Sequence, residues 1–107
     1  MSGTDRTDGV FETDVVFPPD ADFFAGHFPG FPVTPGVVLL GRAVEAAERL
    51  LEQKARLTEV KKVKFSDPVL PGEAIRLRIE RRNGGEFAYT FRKGDSLCAS
   101  GTLVFQN

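Results

Sequence analysis

Cysteine is nearly missing from this chain. Cys98 is the only one, which excludes an internal disulfide and a cysteine-rich metal site. Its place in the apolar run Leu97 to Phe105 reads as a packed thiol rather than a nucleophile. Neither sign of charge dominates: 14 Lys and Arg face 15 Asp and Glu, for a net charge of -1. That balance removes any global drive toward nucleic acid or an anionic membrane. The basic residues are not interleaved with stacking aromatics either, so no nucleic acid is expected as a partner. Long hydrophobic runs are lacking too. The longest uninterrupted one, Val37 to Leu40, falls far short of the roughly 20 residues a membrane helix needs. Neither a membrane span nor a leader is read, and the expectation is a cytoplasmic protein. At 107 residues, one domain with a modest core is expected. No repeat or low-complexity segment appears, and no cofactor or metal is expected.

What the chain does have is a single histidine in an unusual setting. His27 stands in the stretch Gly26 to Leu40, GHFPGFPVTPGVVLL, between glycines and prolines and just ahead of a helix start. Pro35 suits the first helical turn, where its missing N–H would have had no partner, and Thr34 is the expected N-cap. Val37, Val38, Leu39, Leu40, Ala43, Val44, Ala46, Ala47, Leu50 and Leu51 then trace a helix that is apolar nearly all round in its first half. Such a helix is expected to be buried. The free N–H groups of its first turn, Gly36 included, together with the helix dipole, favour an oxygen carrying partial negative charge. A neutral imidazole beside such a turn is the minimum equipment for removing a proton next to a carbonyl. Pro29, Pro32 and Pro35 restrict the loop backbone, which favours a ring held in place before substrate arrives.

Around this helix the pattern is that of strands. Residues 1–9 are polar, small and charged, and are expected to be a disordered terminus, with the domain running over 10–107. From Val10, the residues Phe11, Thr13, Val15 and Phe17 alternate with Glu12, Asp14 and Val16 until Pro18-Pro19 ends the strand. Four more strands are expected over 59–66, 74–82, 86–93 and 96–105. Asn83-Gly84-Gly85 and Gly94-Asp95 supply the residue types that tight hairpin turns require. Arg76, Arg78 and Arg82 alternating with Ile75, Leu77 and Ile79 describe a solvated strand face. The predicted class is α+β, a five-stranded antiparallel sheet wrapped around one long central helix. One helix and five strands leave apolar surface uncovered, so a dimer is expected.

Two runs carry a family resemblance. His27-Phe28-Pro29, then Pro32-Val33, Pro35-Gly36 and a hydrophobic helix, resemble the active-site motif of the 3-hydroxyacyl-acyl carrier protein dehydratases, the FabZ/FabA-like hot-dog proteins. Lys64-Phe65-Ser66-Asp67-Pro68-Val69-Leu70-Pro71-Gly72-Glu73 resembles that family's second shared run, and the resemblance extends over residues 9–106. The resemblance implies the hot-dog fold and elimination of water from a 3-hydroxyacyl thioester to a trans-2-enoyl thioester in fatty-acid or polyketide synthesis. It further implies that His27 takes the C2 proton, that the Val33 carbonyl holds the other ring nitrogen, and that the Gly36 N–H polarises the thioester carbonyl. Phe28, Val33, Pro35 and Gly41 would line the substrate, with Phe23, Phe24 and Phe31 available as further wall or as plain core. An acyl carrier protein becomes the expected partner, and Arg42, Arg49, Lys61, Lys62, Lys64, Arg81 and Lys93 are candidates for its docking patch.

One position departs from the family. Where the dehydratases carry a Glu or Asp on the helix, five residues after the glycine of the Pro-Gly pair, this chain has Gly41. Glu45 follows one turn later on the same face. It is either a surface glutamate or a relocated acid that protonates the leaving hydroxyl. The alternatives are a non-catalytic or half-site subunit of a heterodimer, and a hot-dog acyl thioesterase.

Overall fold

The computed structural model describes residues 5–7, 9–17, 36–51 and 56–106. Its elements are β1 (Asp5–Thr7), β2 (Val10–Val15), α1 (Gly36–Leu50), β3 (Arg56–Phe65), β4 (Ile75–Arg81), β5 (Glu86–Lys93) and β6 (Ser96–Gln106). All six strands join one antiparallel sheet in the order β1-β2-β4-β5-β6-β3. The helix lies against one face of the sheet, packing on β2 and β4. This is the α+β hot-dog arrangement, with the helix and the five expected strands all present and β3 starting at Arg56 rather than at residue 59.

A sixth strand is the main addition. Residues 1–9 read as frayed, yet Asp5–Thr7 pairs with β2 in the register Arg6↔Phe11. Gly9 turns the chain at φ 75° and its carbonyl accepts a 2.7 Å bond from the Arg81 N–H. Edge pairing uses backbone groups alone, so a strand of sequence DRT carries no apolar pattern to announce it.

Side-chain alternation decides the two faces. Phe11, Val15, Ile75, Leu77, Ile79, Phe87, Tyr89, Phe91, Ala99, Leu103 and Phe105 are all buried on the helix side. On the other face Arg76 meets Asp14 at 2.9 Å and Glu12 at 3.5 Å, and Arg78 meets Glu80 at 3.3 Å. Each such exposed pair contributes at most about 1 kcal/mol, so this ladder marks the wet face more than it stabilises it. The alternating arginines are solvated, as the sequence predicts. Cys98 is the packed thiol expected: it is buried, and burial pushes its pKa up.

The helix differs from expectation in one respect. Leu39, Ala43, Ala46, Ala47 and Leu50 are buried along one face, while Gly41, Arg42, Glu45, Glu48 and Arg49 are exposed. Val38, Leu40 and Val44 are only half-buried against the core. A single sheet covers one side of a cylinder, so apolar residues beyond that stripe stay partly uncovered.

Inside the core, Tyr89 lies across Gly101, its partner in register on β6. A Cβ on Gly101 would stand 2.6 Å from the Tyr89 hydroxyl oxygen and 2.8 Å from Cζ. The glycine is therefore a steric requirement of the ring above it, and Phe91 closes edge-on against the same ring at 6.0 Å. Gly41 is the opposite case, because among the described residues nothing stands within 4 Å of its notional Cβ. We expect Gly101→Ala to cost ~1–3 kcal/mol by overpacking, whereas Gly41→Ala should gain up to ~1 kcal/mol from helix propensity. Chemical denaturation of the two variants checks this; equal midpoints would contradict the packing described.

Candidate active site

The helix begins at Gly36, and this fixes the site's geometry. An N–H in the first turn has no acceptor within the helix. It therefore faces whatever docks on the helix end, with the dipole favouring negative charge there. Phe65, the last residue of β3, reaches this point from across the fold. A Cβ on Gly36 would lie 2.6 Å from the Phe65 Cζ and 3.0 Å from Cε1, so the ring edge rests on the glycine itself. Phe65 is nonetheless 58% exposed.

Beyond Phe65 the chain is held closely. The Ser66 N–H donates to the Cys98 carbonyl at 2.8 Å and the Asp67 N–H to that of Leu97 at 3.4 Å, extending the β3–β6 ladder. The Pro-Val-Leu-Pro-Gly turn is then clasped by two charges. Glu73 Oε1 accepts the Leu70 N–H at 2.8 Å, and Lys93 Nζ donates to both Glu73 oxygens, at 3.1 and 3.2 Å, and to the Pro68 carbonyl at 3.0 Å. The Leu70 N–H and then Lys93 hold the Glu73 carboxyl below its usual range, against the opposing effect of desolvation. Glu73 in turn raises Lys93. The Gly72 N–H, bonded to the Phe17 carbonyl at 2.9 Å, ties this turn to the end of the β2 segment.

Glu45 occupies a different level of α1. Nine residues beyond Gly36 it stands about 13 Å further along the axis at the usual rise. It is exposed and lines a groove of about 120 Å³ with Phe11, Thr13, Arg42, Ala46, Arg49 and Leu77. Arg49 sits over the Phe11 ring, 6.0 Å from its centroid. Gly41 lies one turn before Glu45 and is open to solvent. The structure thus brings Gly36 together with Phe65, and Glu45 together with Arg42 and Arg49, but does not bring Gly36 and Glu45 to one point. His27, Phe28, Val33 and Pro35 lie outside the described residues, as do Phe23, Phe24 and Phe31. The sequence reading missed the roles of Phe65, Glu73 and Lys93, although the first two stand inside the second quoted run.

With that geometry in hand, comparison with known proteins is decisive for the family. The profile of the ApeI-like family, described as ApeI dehydratase, matches residues 4–102. The chain belongs to the ApeI-like dehydratase family. Among curated relatives, the 3-hydroxyacyl-[acyl-carrier-protein] dehydratase FabZ of Chlamydia trachomatis serovar L2 is 37% identical over 97 residues, covering 78% of this chain and 63% of the relative. The chain thus spans less than two thirds of the length of such relatives. Among solved structures, the dehydratase heterocomplex ApeI:P from Xenorhabdus doucetiae superposes with a TM-score of 0.89 at 23% identity, covering 97% of this chain and 94% of that one, a likeness of fold. An uncharacterized protein from Erwinia carotovora subsp. atroseptica gives a TM-score of 0.76 at 30% identity, covering 97% and 90%. The ApeI-like membership agrees with the resemblance carried by the two sequence runs. No described helix is long and apolar enough to cross a membrane.

The Glu73 clasp generates a pH prediction. Because the folded Glu73 pKa is depressed below the ordinary glutamate range, its contribution is full above the unfolded pKa and is lost as pH falls through the folded one. Glu73→Gln should therefore melt below wild type at pH 7, and the gap should close as the pH is lowered through the depressed carboxyl pKa of the folded state. Thermal melts across that range check it; a gap that widens on acidification would show that the carboxylate is not what holds the turn.

Proposed function

We propose that this chain is a 3-hydroxyacyl-acyl carrier protein dehydratase, a single hot-dog domain whose sheet takes in β1 ahead of the expected start at residue 10 and that converts a 3-hydroxyacyl thioester to the trans-2-enoyl thioester and water. The observation that carries the reading is the start of α1 at Gly36, directly after the His27 to Pro35 run, in a chain of the ApeI-like family. A helix-start N–H suits an oxygen on which charge develops. The FabZ relatives are named for this reaction. In the proposed chemistry His27 takes the C2 proton, its other nitrogen oriented by the Val33 carbonyl. The Gly36 N–H receives the enolate-like charge on the thioester oxygen. Electrons of the broken C2–H bond form the C2–C3 double bond, the C3–O bond breaks, and the departing hydroxide leaves as water once protonated. Phe28, Pro35 and Gly41 border the acyl chain.

The source of that last proton divides two readings. Glu45 is an available carboxyl on the helix and also belongs to the same exposed face as Gly41. The second reading is a half-site subunit, in which His27 serves a heterodimer and the partner hot-dog chain supplies the acid. Gly41, standing where the family's helix acid is expected, is the feature that supports this second reading. The half-covered flank of α1 is consistent with a partner in either case. An acyl carrier protein delivers the substrate, the protein works in the cytoplasm, and assembly is a homodimer or a heterodimer.

Enoyl-thioester formation, followed by ultraviolet absorbance, tests the proposal on the wild-type protein alone and with a second hot-dog subunit. His27→Ala should abolish the reaction with the fold intact, and survival of most of the rate would reject the assignment. If Glu45 is the acid, Glu45→Gln should lower turnover by ~10²–10⁴-fold. A neutral Glu45→Gln, together with activity only in the presence of the second subunit, identifies the half-site.

A further inference from the structure

We infer that Phe65 is a positioning residue of this site, an apolar wall that directs an acyl thioester onto the Gly36 N–H. The inference rests on the dehydratase reading and adds a residue to it.

Three observations combine. The ring edge touches Gly36 so closely that even a methyl group there would meet Cζ at 2.6 Å, Cε1 at 3.0 Å and Cε2 at 3.2 Å. The Cβ side of the helix's first residue is thereby occupied by hydrocarbon. Secondly, the ring is 58% exposed although its neighbours in the sheet's inner face, Ala99 opposite it in register included, are buried. A large apolar surface left wet at the end of a strand has area still to bury against a ligand. Thirdly, its backbone is anchored. The Ser66 and Asp67 N–H groups bond to β6 immediately after it, so the ring is carried by a sheet rather than by a free loop.

The physical effect is twofold. A ring beside the donor keeps water from one side of the Gly36 N–H, and a hydrogen bond to developing negative charge strengthens as the local dielectric falls. The same ring limits the angles at which the C1–C2 segment can lie, and misplacement by about 1 Å costs up to ~100-fold in rate. Gly36 then has two reasons to be glycine: it admits the ring, and it leaves the N–H accessible.

Two measurements on the full chain, with its partner subunit where one is required, separate this from a structural role. With an enoyl-forming substrate, Phe65→Ala should lower kcat/KM by roughly 10- to 100-fold, while Phe65→Leu and Phe65→Tyr retain most of it. Melting temperature should change little in all three, since the ring is mostly exposed. With a non-hydrolysable acyl-pantetheine amide as probe, calorimetry should show about tenfold weaker binding to Phe65→Ala. Gly36→Ala should lower the melting temperature, and adding Phe65→Ala should restore stability without restoring activity. Wild-type rate and wild-type probe affinity in Phe65→Ala would overturn the inference and leave the dehydratase reading standing. An inactive wild type whose probe binding still depends on Phe65 would instead reject the dehydratase reading and retain Phe65 as an acyl-binding wall.

Discussion

Everything in this fold depends on how closely a helix with an alanine face can approach a sheet lined with large side chains. Ala43, Ala46 and Ala47 are buried between Leu39 and Leu50 on α1, which packs on β2 and β4 and shares one core with Phe11, Ile75, Leu77, Phe87, Tyr89 and Phe91. Small residues on one surface and bulky ones on the other interdigitate without voids, which is how interiors reach crystal-like density. Close approach has a geometric result as well. It sets the height of the helix over the sheet and therefore the distance from Gly36 to the end of β3. A helix with leucines in place of those alanines would ride higher, and the Phe65 ring would no longer reach the first turn.

The same packing explains the uneven environment of α1. One stripe is dry, the groove beside β2 holds Arg42, Glu45 and Arg49, and the remaining flank presents Gly41 and half-covered apolar side chains. These are three different surfaces on a 15-residue element. Catalytic capacity in the proposed site is divided in the same way: the helix end offers donors, its side offers a carboxyl, and the two are separated by more than two turns. That separation is why the identity of the proton donor turns on assembly rather than on the single chain.

Much of this architecture was legible from patterning. Strict alternation in β2, β4 and β5 gave their inner and outer faces, because a sheet covered on one side enforces a period of two. Asn83-Gly84-Gly85 marked a turn that requires positive φ, and Gly84 and Gly85 adopt 72° and 79°. The helix starts at Gly36, where the Pro-Gly pair leads one to expect it, while the expected Thr34 cap lies outside the described residues. What escaped were features that local sequence does not encode. β1 pairs through its backbone and so lacks a side-chain pattern. The Lys93–Glu73 clasp and the Phe65–Gly36 contact join segments distant in the chain, and nothing in either segment alone predicts the other. For the candidate site, residue types pointed to Gly36, Gly41 and Glu45, but whether they converge is a question of three dimensions.

The edge formed by β3 carries one more consequence. Its register to β6 slips twice, between Leu57 and Glu59 and between Lys61 and Lys64, and Lys62 in the second irregularity adopts φ 58°. A strand interrupted in this way offers an outside chain only short stretches of straight ladder, fringed by ammonium groups. Shape and charge together make pairing along this edge selective.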